Sequence, residues 1–301
     1  MVKNNHVLIT GMQRSGTTFT AQILRNSGAF TYLPEPFNPD YGIEGVDSHY
    51  SWLDLENRDD KNKLLLHKLF TYNARFKKNY ERDSIIKKTA KYILGTKAER
   101  RYKLQGLFNK KKCRFLIKDP DAVFLSEYIA QNFNCQVLYI IRHPCAVLAS
   151  YKRLKWDIDF HPIMKMDLIH DNPILSYIPE IKNDKITLIE KVAILWVIIN
   201  KKLSLYARRN TDWMMIRHED LCRTPDSTFK EIYDWADLKY TPKIRKNIYN
   251  MTNTNNPVKA RNNRLHDFSR NSEKLVDSWK REIEDKERAV IRNITEPVSS
   301  L

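Results

Sequence analysis

The sequence predicts an α/β domain: a parallel sheet in a three-layer arrangement, flanked by helices. Three observations predict it. Short apolar runs over 6–10, 114–117, 136–141 and 213–216 have the length and content of strands buried on both faces. Segments of helical pattern alternate with them over 17–26, 121–133, 144–154, 186–207 and 227–236. Glycine is scarce, seven in 301 residues, and two of the seven stand between the first strand and the first helix.

The first strand, HVLIT, ends on Gly11. In the helix after it Phe19, Ile23 and Leu24 share a face, and Gly28 follows as a stop signal. After the strand at 114–117, Asp121 is expected to cap a helix whose apolar side carries Val123, Phe124, Tyr128 and Ile129. The strand QVLYII leads to Pro144, suited to the first turn of the next helix. The long helix at 186–207 contains the most apolar run, VAILWVII over 192–199. That run is too short to span a bilayer and is bracketed by Lys191, Lys201 and Lys202, so it reads as a buried core helix. Two stretches break the rhythm. The segment 41–112 is polar and rich in Lys, Asn and Tyr, and 156–184 holds Pro162, Pro173 and Pro179. They read as insertions over the carboxyl ends of the strands, where α/β proteins bind ligands, within one domain spanning 1–301.

Hydrophobic content of 42% and charged content of 29% are ordinary for a globular chain. The formal net charge of +16 favours an anionic partner, such as a nucleotide, an acidic glycan, nucleic acid or a membrane surface; a solvated Lys/Asn-rich surface explains it equally well. Cys113, Cys135, Cys145 and Cys222 are widely spaced with no C-x-x-C pair, which points to reduced thiols rather than a zinc site or disulfide framework. The amino terminus carries no basic segment followed by an apolar one, so a cytoplasmic protein with no transmembrane segment is expected.

Between strand and helix the loop reads GMQRSGTT, with Gly11 and Gly16 in G-x-x-x-x-G spacing. A nucleoside triphosphate loop would continue with Lys and then Ser or Thr; here Thr17 stands in the Lys position and Thr18 follows. Backbone N–H groups feeding a helix start favour an anion, and Arg14, Ser15, Thr17 and Thr18 add side-chain donors. A second element, YIIRHPCAVLAS, places Arg142 at a strand end and Ser150 eight residues later on the next helix, a pair able to grip a second phosphate. A triphosphatase would place an acidic residue near such a strand end to hold magnesium. Arg142 therefore argues for a second anion site and against a metal, and with the missing lysine it weighs against a nucleotide kinase or triphosphatase. A nucleic-acid-binding module is motivated by the charge alone.

With these two elements the chain resembles sulfotransferases that use 3′-phosphoadenosine 5′-phosphosulfate, a family of phosphate-loop nucleotide hydrolase-like fold. The pattern is nearest the carbohydrate and tyrosyl-protein branches. LPEPFN (33–38) and LIKDP (116–120) resemble segments of those branches, and IRHEDL (216–221) resembles an element that usually has Tyr where His218 stands. The resemblance implies that Arg14, Ser15, Gly16, Thr17 and Thr18 hold the 5′-phosphosulfate, and that Arg142 and Ser150 hold the 3′-phosphate. It implies no metal, no nucleic-acid partner and an acceptor hydroxyl, most simply on a carbohydrate or glycoconjugate. Lys68, Tyr72, Trp156 and His161 in the two insertions would suit a sugar.

An acceptor hydroxyl must lose its proton as it attacks sulfur, which calls for a positioned base. Glu35, 21 residues after Arg14, is the candidate; an ion-paired carboxylate beside Pro36 is the alternative. His67, His143 and His161 stand behind it. Lys118 and Arg14 would stabilise charge developing on the sulfuryl oxygens or the leaving phosphate. In FSRNSEKLVDSW (268–279), Arg270 or Ser269 is expected to reach the nucleotide, with Trp279 in the core. A member of the fold that binds the donor without catalysis also fits the motifs.

Overall fold

The computed structural model describes residues 5–53, 60–77, 97–108, 114–164, 185–258 and 269–299. In chain order the elements are β1 (His6–Thr10), α1 (Thr17–Arg25), β2 (Phe30–Pro34), α2 (Asp60–Phe70), α3 (Lys97–Phe108), β3 (Arg114–Lys118), α4 (Ser126–Asn132), β4 (Cys135–Ile141) and α5 (Pro144–Leu154). Then follow α6 (Leu188–Arg209), β5 (Met214–Arg217), α7 (His218–Arg223), α8 (Pro225–Trp235), α9 (Pro242–Thr252), α10 (Ser272–Val276) and α11 (Asp285–Ser299). The α/β class with parallel strands flanked by helices is what is found. The chain divides into two compact units, Met1–Thr10 with Gly28–Val137, and Gly11–Ser27 with Leu138–Leu301.

In the first unit β3 lies between β1 and β2, parallel to both. Val7, Leu8, Ile9, Phe115, Leu116 and Ile117 are completely buried, which is why these strands read as continuous apolar runs. β2 is not among the expected strands. Its sequence, FTYLP, alternates and buries only Thr31 and Leu33, so no apolar run announces it. The register sets Ile9 opposite Lys118 and Pro34 opposite Lys118, bringing the carboxyl ends of all three strands level. In the described part of the 41–112 insertion, Tyr102 of α3 is fully buried and donates its hydroxyl to the Leu69 carbonyl at 2.8 Å, tying α3 to α2. The expected helix from Asp121 is a 3-10 turn, Val123–Leu125, running into α4, and Asp121 does not cap it. Its carboxylate instead meets Asn38 and His49.

In the second unit β4 and β5 pair in parallel, with Leu138 opposite Met214 and Ile141 opposite Arg217. Pro144 takes the first turn of α5, as expected, and the His143 ring accepts from the Cys145 N–H as cap. α6 begins with a reciprocal capping box, Thr187 with Glu190. Val192 to Ile199 are all buried, so this stretch of the helix is apolar on every side and lies in the core, the helix packing against α5 and α11. α9 and α11 are further helices that the alternation of apolar runs and helical segments does not predict. Among the described residues no helix is long and apolar enough to cross a membrane. Cys135, Cys145 and Cys222 are buried, and Cys145 and Cys222 are free thiols; Cys113 and the 165–184 stretch of the second insertion lie outside the described residues.

Candidate active site

The glycine loop belongs to the second unit. Gly11 and Gly16 have φ of +136° and +102°, conformations that residues with a Cβ rarely take. Each is also walled in. A Cβ on Gly11 would stand 2.4 Å from the Ile140 carbonyl oxygen, and one on Gly16 2.5 Å from Nδ1 of His218. Ser15 N–H closes the loop on the Met12 carbonyl at 3.1 Å. At α1 the Thr20 N–H returns to Gly16 O, no side chain caps the helix, and no acidic residue lies in its first turn. The amide groups at this helix start, with the positive end of its dipole, have the polarity that an anion favours.

Around the loop seven residues assigned to donor binding, Arg14 to Thr18 with Arg142 and Ser150, occupy one neighbourhood. Ser15 and Thr17 are buried, and Thr18 is half-buried. Arg142, just beyond β4, donates from Nη1 to the backbone carbonyl of Arg14 at 2.8 Å. Arg14 donates from Nε to the Ser150 hydroxyl at 2.9 Å and lays its guanidinium over Trp156, 5.5 Å from the ring centre. So Arg14, Arg142 and Ser150 come together, with the Arg14 side chain turned to Ser150. Arg14 sits at φ +73°, a left-handed backbone that costs about 1–3 kcal/mol and is found where surroundings enforce it. Burial lowers Arg142 to about 10, which leaves it charged at neutral pH.

Among the described residues three buried polar atoms here have no hydrogen-bond partner: Ser15 Oγ, Arg142 Nε and His218 Nδ1. Buried polar groups are almost always paired, so three orphans beside one loop mark a place that a polar ligand completes. Burial, and then the Arg142 charge, hold the His218 ring well below its usual range, so it is neutral. Its Nε2 lies 3.5 Å from the Cys222 sulfur, and burial pushes that thiol up to about 12. A protonated thiol donating to Nε2 leaves the ring proton on Nδ1, on the Gly16 side. Arg270 donates from Nε to the Val258 carbonyl at 2.8 Å. Trp279 stacks on His143 at 4.3 Å rather than entering a closed core.

In the first unit the strand register builds a second cluster. Pro34 faces Lys118, so Glu35 is the next residue beyond the strand end, and its N–H bonds the Lys118 carbonyl at 2.7 Å. Lys118 Nζ forms an ion pair with Glu35 Oε1, and the Tyr41 hydroxyl donates to Oε2. Lys118 is 4% exposed and Glu35 19%, so the pair is shielded from bulk water. Glu35 is itself left-handed at φ +46°. Behind it Asp119 is completely buried and accepts from the Phe37 and Asp121 N–H groups at 2.6 and 2.9 Å. Burial, then the Asp121 charge, push Asp119 well above the ordinary carboxylate range. His49 Nδ1 stands 3.1 Å from both oxygens of Asp121.

Asp119 and Asp121 are, from sequence, the alternative partners of Lys118, whose Nζ pairs with Glu35; Tyr41 and His49 are members of this cluster that sequence reasoning missed. Nothing in their spacing signals it, because the turn after β2 and the register of β3 bring them together. The histidines held in reserve fall elsewhere: His161 pairs with exposed Asp159 and His143 serves as the cap of α5.

A family model described as the sulfotransferase domain matches residues 4–300, and the chain belongs to that family of sulfuryl-transferring enzymes. Among solved structures it is similar to the sulfotransferase domain from the curacin biosynthetic pathway, at 16% identity and a TM-score of 0.52, covering 98% of this chain and 97% of that one. A sulfotransferase domain from the olefin synthase of Synechococcus PCC 7002 gives 16% identity and a TM-score of 0.47 over 98% of this chain and 94% of that one. Retinol dehydratase in a complex with retinol and PAP gives 13% and 0.47 over 99% and 81%. No curated protein sequence matches the chain.

Proposed function

We propose that the protein moves a sulfuryl group from 3′-phosphoadenosine 5′-phosphosulfate to an acceptor hydroxyl. The observation that carries this reading is the set of three orphaned buried atoms, Ser15 Oγ, Arg142 Nε and His218 Nδ1, around a loop that lacks the triphosphate lysine. Gly16, Thr17 and Thr18 would present amides and hydroxyls to the 5′-phosphosulfate, with Ser15. Arg142 and Ser150 would hold the 3′-phosphate, and Arg14, bonded to Ser150, would neutralise negative charge between the two. Arg270 would need to leave the Val258 carbonyl to join them. The donor supplies a sulfuryl group on a good leaving phosphate, so the protein has to bind, orient and accept a proton.

Glu35 is the proposed base. Its carboxylate is held by Lys118 at one oxygen and takes a hydroxyl proton donor, Tyr41, at the other, the contact an acceptor hydroxyl would make before attack. Lys118 would stabilise charge that develops in the transfer. The acceptor class proposed is a carbohydrate or glycoconjugate; the partly exposed ring of Trp156 offers the kind of aromatic face on which a sugar can lie. The buried free thiols of Cys145 and Cys222 fit a reducing, cytoplasmic setting.

Calorimetric titration with adenosine 3′,5′-bisphosphate, without metal, tests the donor assignment. Arg142→Ala removes two or more charge-assisted hydrogen bonds of about 1.5–3 kcal/mol each, so binding should weaken by about a hundredfold or more. Equal affinity in wild type and variant would refute it. A panel of sugar, glycolipid and phenolic acceptors with labelled donor then identifies the acceptor.

A further inference from the structure

His218 opens α7 directly after β5, and its ring lies against the glycine loop of the same unit. A Cβ on Gly16 would meet Nδ1 at 2.5 Å, Cε1 at 3.1 Å and Cγ at 3.5 Å, so the Nδ1 edge of the ring faces the start of α1. Two contacts hold the helix that carries it. Glu219 Oε1 accepts from the His143 N–H at 3.1 Å, and the Cys222 carbonyl accepts from the Ser272 hydroxyl at 2.8 Å. His218 is 7% exposed. The Gly16 carbonyl is already used, since it takes the Thr20 N–H at 3.1 Å and the Thr20 hydroxyl at 3.3 Å. Among the described residues Nδ1 therefore meets no acceptor.

The other ring nitrogen decides what Nδ1 does. A neutral imidazole carries one proton, so one nitrogen donates and the other accepts. His218 and Cys222 stand four residues apart on one face of α7, with Nε2 3.5 Å from the sulfur. The thiol keeps its proton at neutral pH and offers it to Nε2. Nε2 is then the acceptor and Nδ1–H the donor. Arg142 Nε, another of the orphans, also only donates. Donors left open at a helix start with no acidic residue in its first turn call for an anionic oxygen group.

We infer that His218 is a binding residue for the anion at this loop, donating from Nδ1 to a 5′-phosphate oxygen of the donor, and that Cys222 is the positioning residue that keeps the ring in the donating tautomer. The inference rests on the phosphosulfate reading above and deepens it. With its proton on Nε2 instead, the ring would turn the Nδ1 lone pair toward the anion, so the tautomer decides between attraction and repulsion.

Nitrogen-15 NMR of the intact chain and calorimetric titration with adenosine 3′,5′-bisphosphate test both halves. The ligand-free wild type is expected to carry the ring proton on Nδ1. Cys222→Ala should release the ring to mixed tautomers and weaken bisphosphate binding by about two- to tenfold, the range of one neutral hydrogen bond. Cys222→Ser restores a donor to Nε2 and should return both the tautomer and the affinity to near the wild-type values. His218→Leu removes Nδ1 and should weaken binding by about tenfold or more, as for a hydrogen bond to a charged group, whereas His218→Asn, whose amide can stand where Nδ1 stands, should recover most of it. The proposal is overturned, with the donor assignment intact, if wild type binds the bisphosphate and Cys222→Ala or His218→Leu binds it equally. Cys222→Ser doing no better than Cys222→Ala overturns it too, as does a wild-type ring protonated on Nε2. If wild type does not bind the bisphosphate at all, the sulfotransferase reading falls and this proposal with it.

Discussion

Replacing Gly16 by Ala should damage the loop through two separable costs. The first is conformational. Gly16 sits at φ +102°, and holding an alanine there costs about 1–3 kcal/mol. The second is steric. The added Cβ would stand 2.5 Å from Nδ1 and 3.1 Å from Cε1 of His218, a ring only 7% exposed that cannot swing into solvent. Overpacking of this kind costs about 1–3 kcal/mol. Together they predict a loss of about 2–6 kcal/mol, which in a chain of this size lowers the melting temperature by about 4–12 °C. The two costs come apart in a double-mutant cycle. His218→Ala removes the ring but not the backbone demand, so Gly16→Ala made in that background should cost about 1–3 kcal/mol less than in wild type. Chemical denaturation of the four proteins supplies the numbers. Gly16→Ala with an unchanged midpoint, or with the same cost in both backgrounds, would show that His218 does not wall the loop.

Three further outcomes are expected. Lys118→Met strands the shielded Glu35 carboxylate and should cost about 3 kcal/mol, whereas Lys118→Met with Glu35→Leu should recover most of that loss; urea midpoints check both. Burial holds His218 well below its ordinary range and His6 at about 4, so the unfolded chain takes up protons below pH 6.5 that the folded chain refuses. Stability is then complete above pH 6.5 and falls as pH drops toward 4, by up to about 1.4 kcal/mol per pH unit for each ring, and His6→Gln should flatten the fall. Thr187→Ala removes half of the capping box of α6 and should cost about 1 kcal/mol with donor affinity unchanged.

The sequence shows most clearly those parts of the fold whose physics is local. β1, the glycine loop and α1 are contiguous, and continuous burial of Val7, Leu8 and Ile9 writes itself as an apolar run. The same holds for β4 and for the 192–199 core of α6. β2 is hidden because its alternating residues are explained only by the partner strand β3 beside them. Asp121 resembles a helix cap because it precedes an apolar segment, but His49, 72 residues earlier, takes its carboxylate. Glu35 and Lys118 could be named from short motifs, whereas their ion pair, and Tyr41 on the far oxygen, depend on register and on a turn. The three orphaned atoms are invisible in sequence, since whether Ser15 finds a partner is decided by packing.

The pairing of Ile141 with Arg217 has a consequence for how the chain tolerates insertions and deletions. Arg142 and His218 are separated by 76 residues of sequence, yet each is the next residue beyond a strand end, and the four-rung ladder of β4 and β5 acts as the ruler that levels them. Length changes in the intervening loops leave that ruler intact. A single residue removed from within β5 would shift the rung count, carry His218 away from Gly16 and turn the β5 side chains beyond the deletion to the opposite face. The protein would then lose the floor of its loop through a lesion in a strand that contributes no donor-binding side chain of its own.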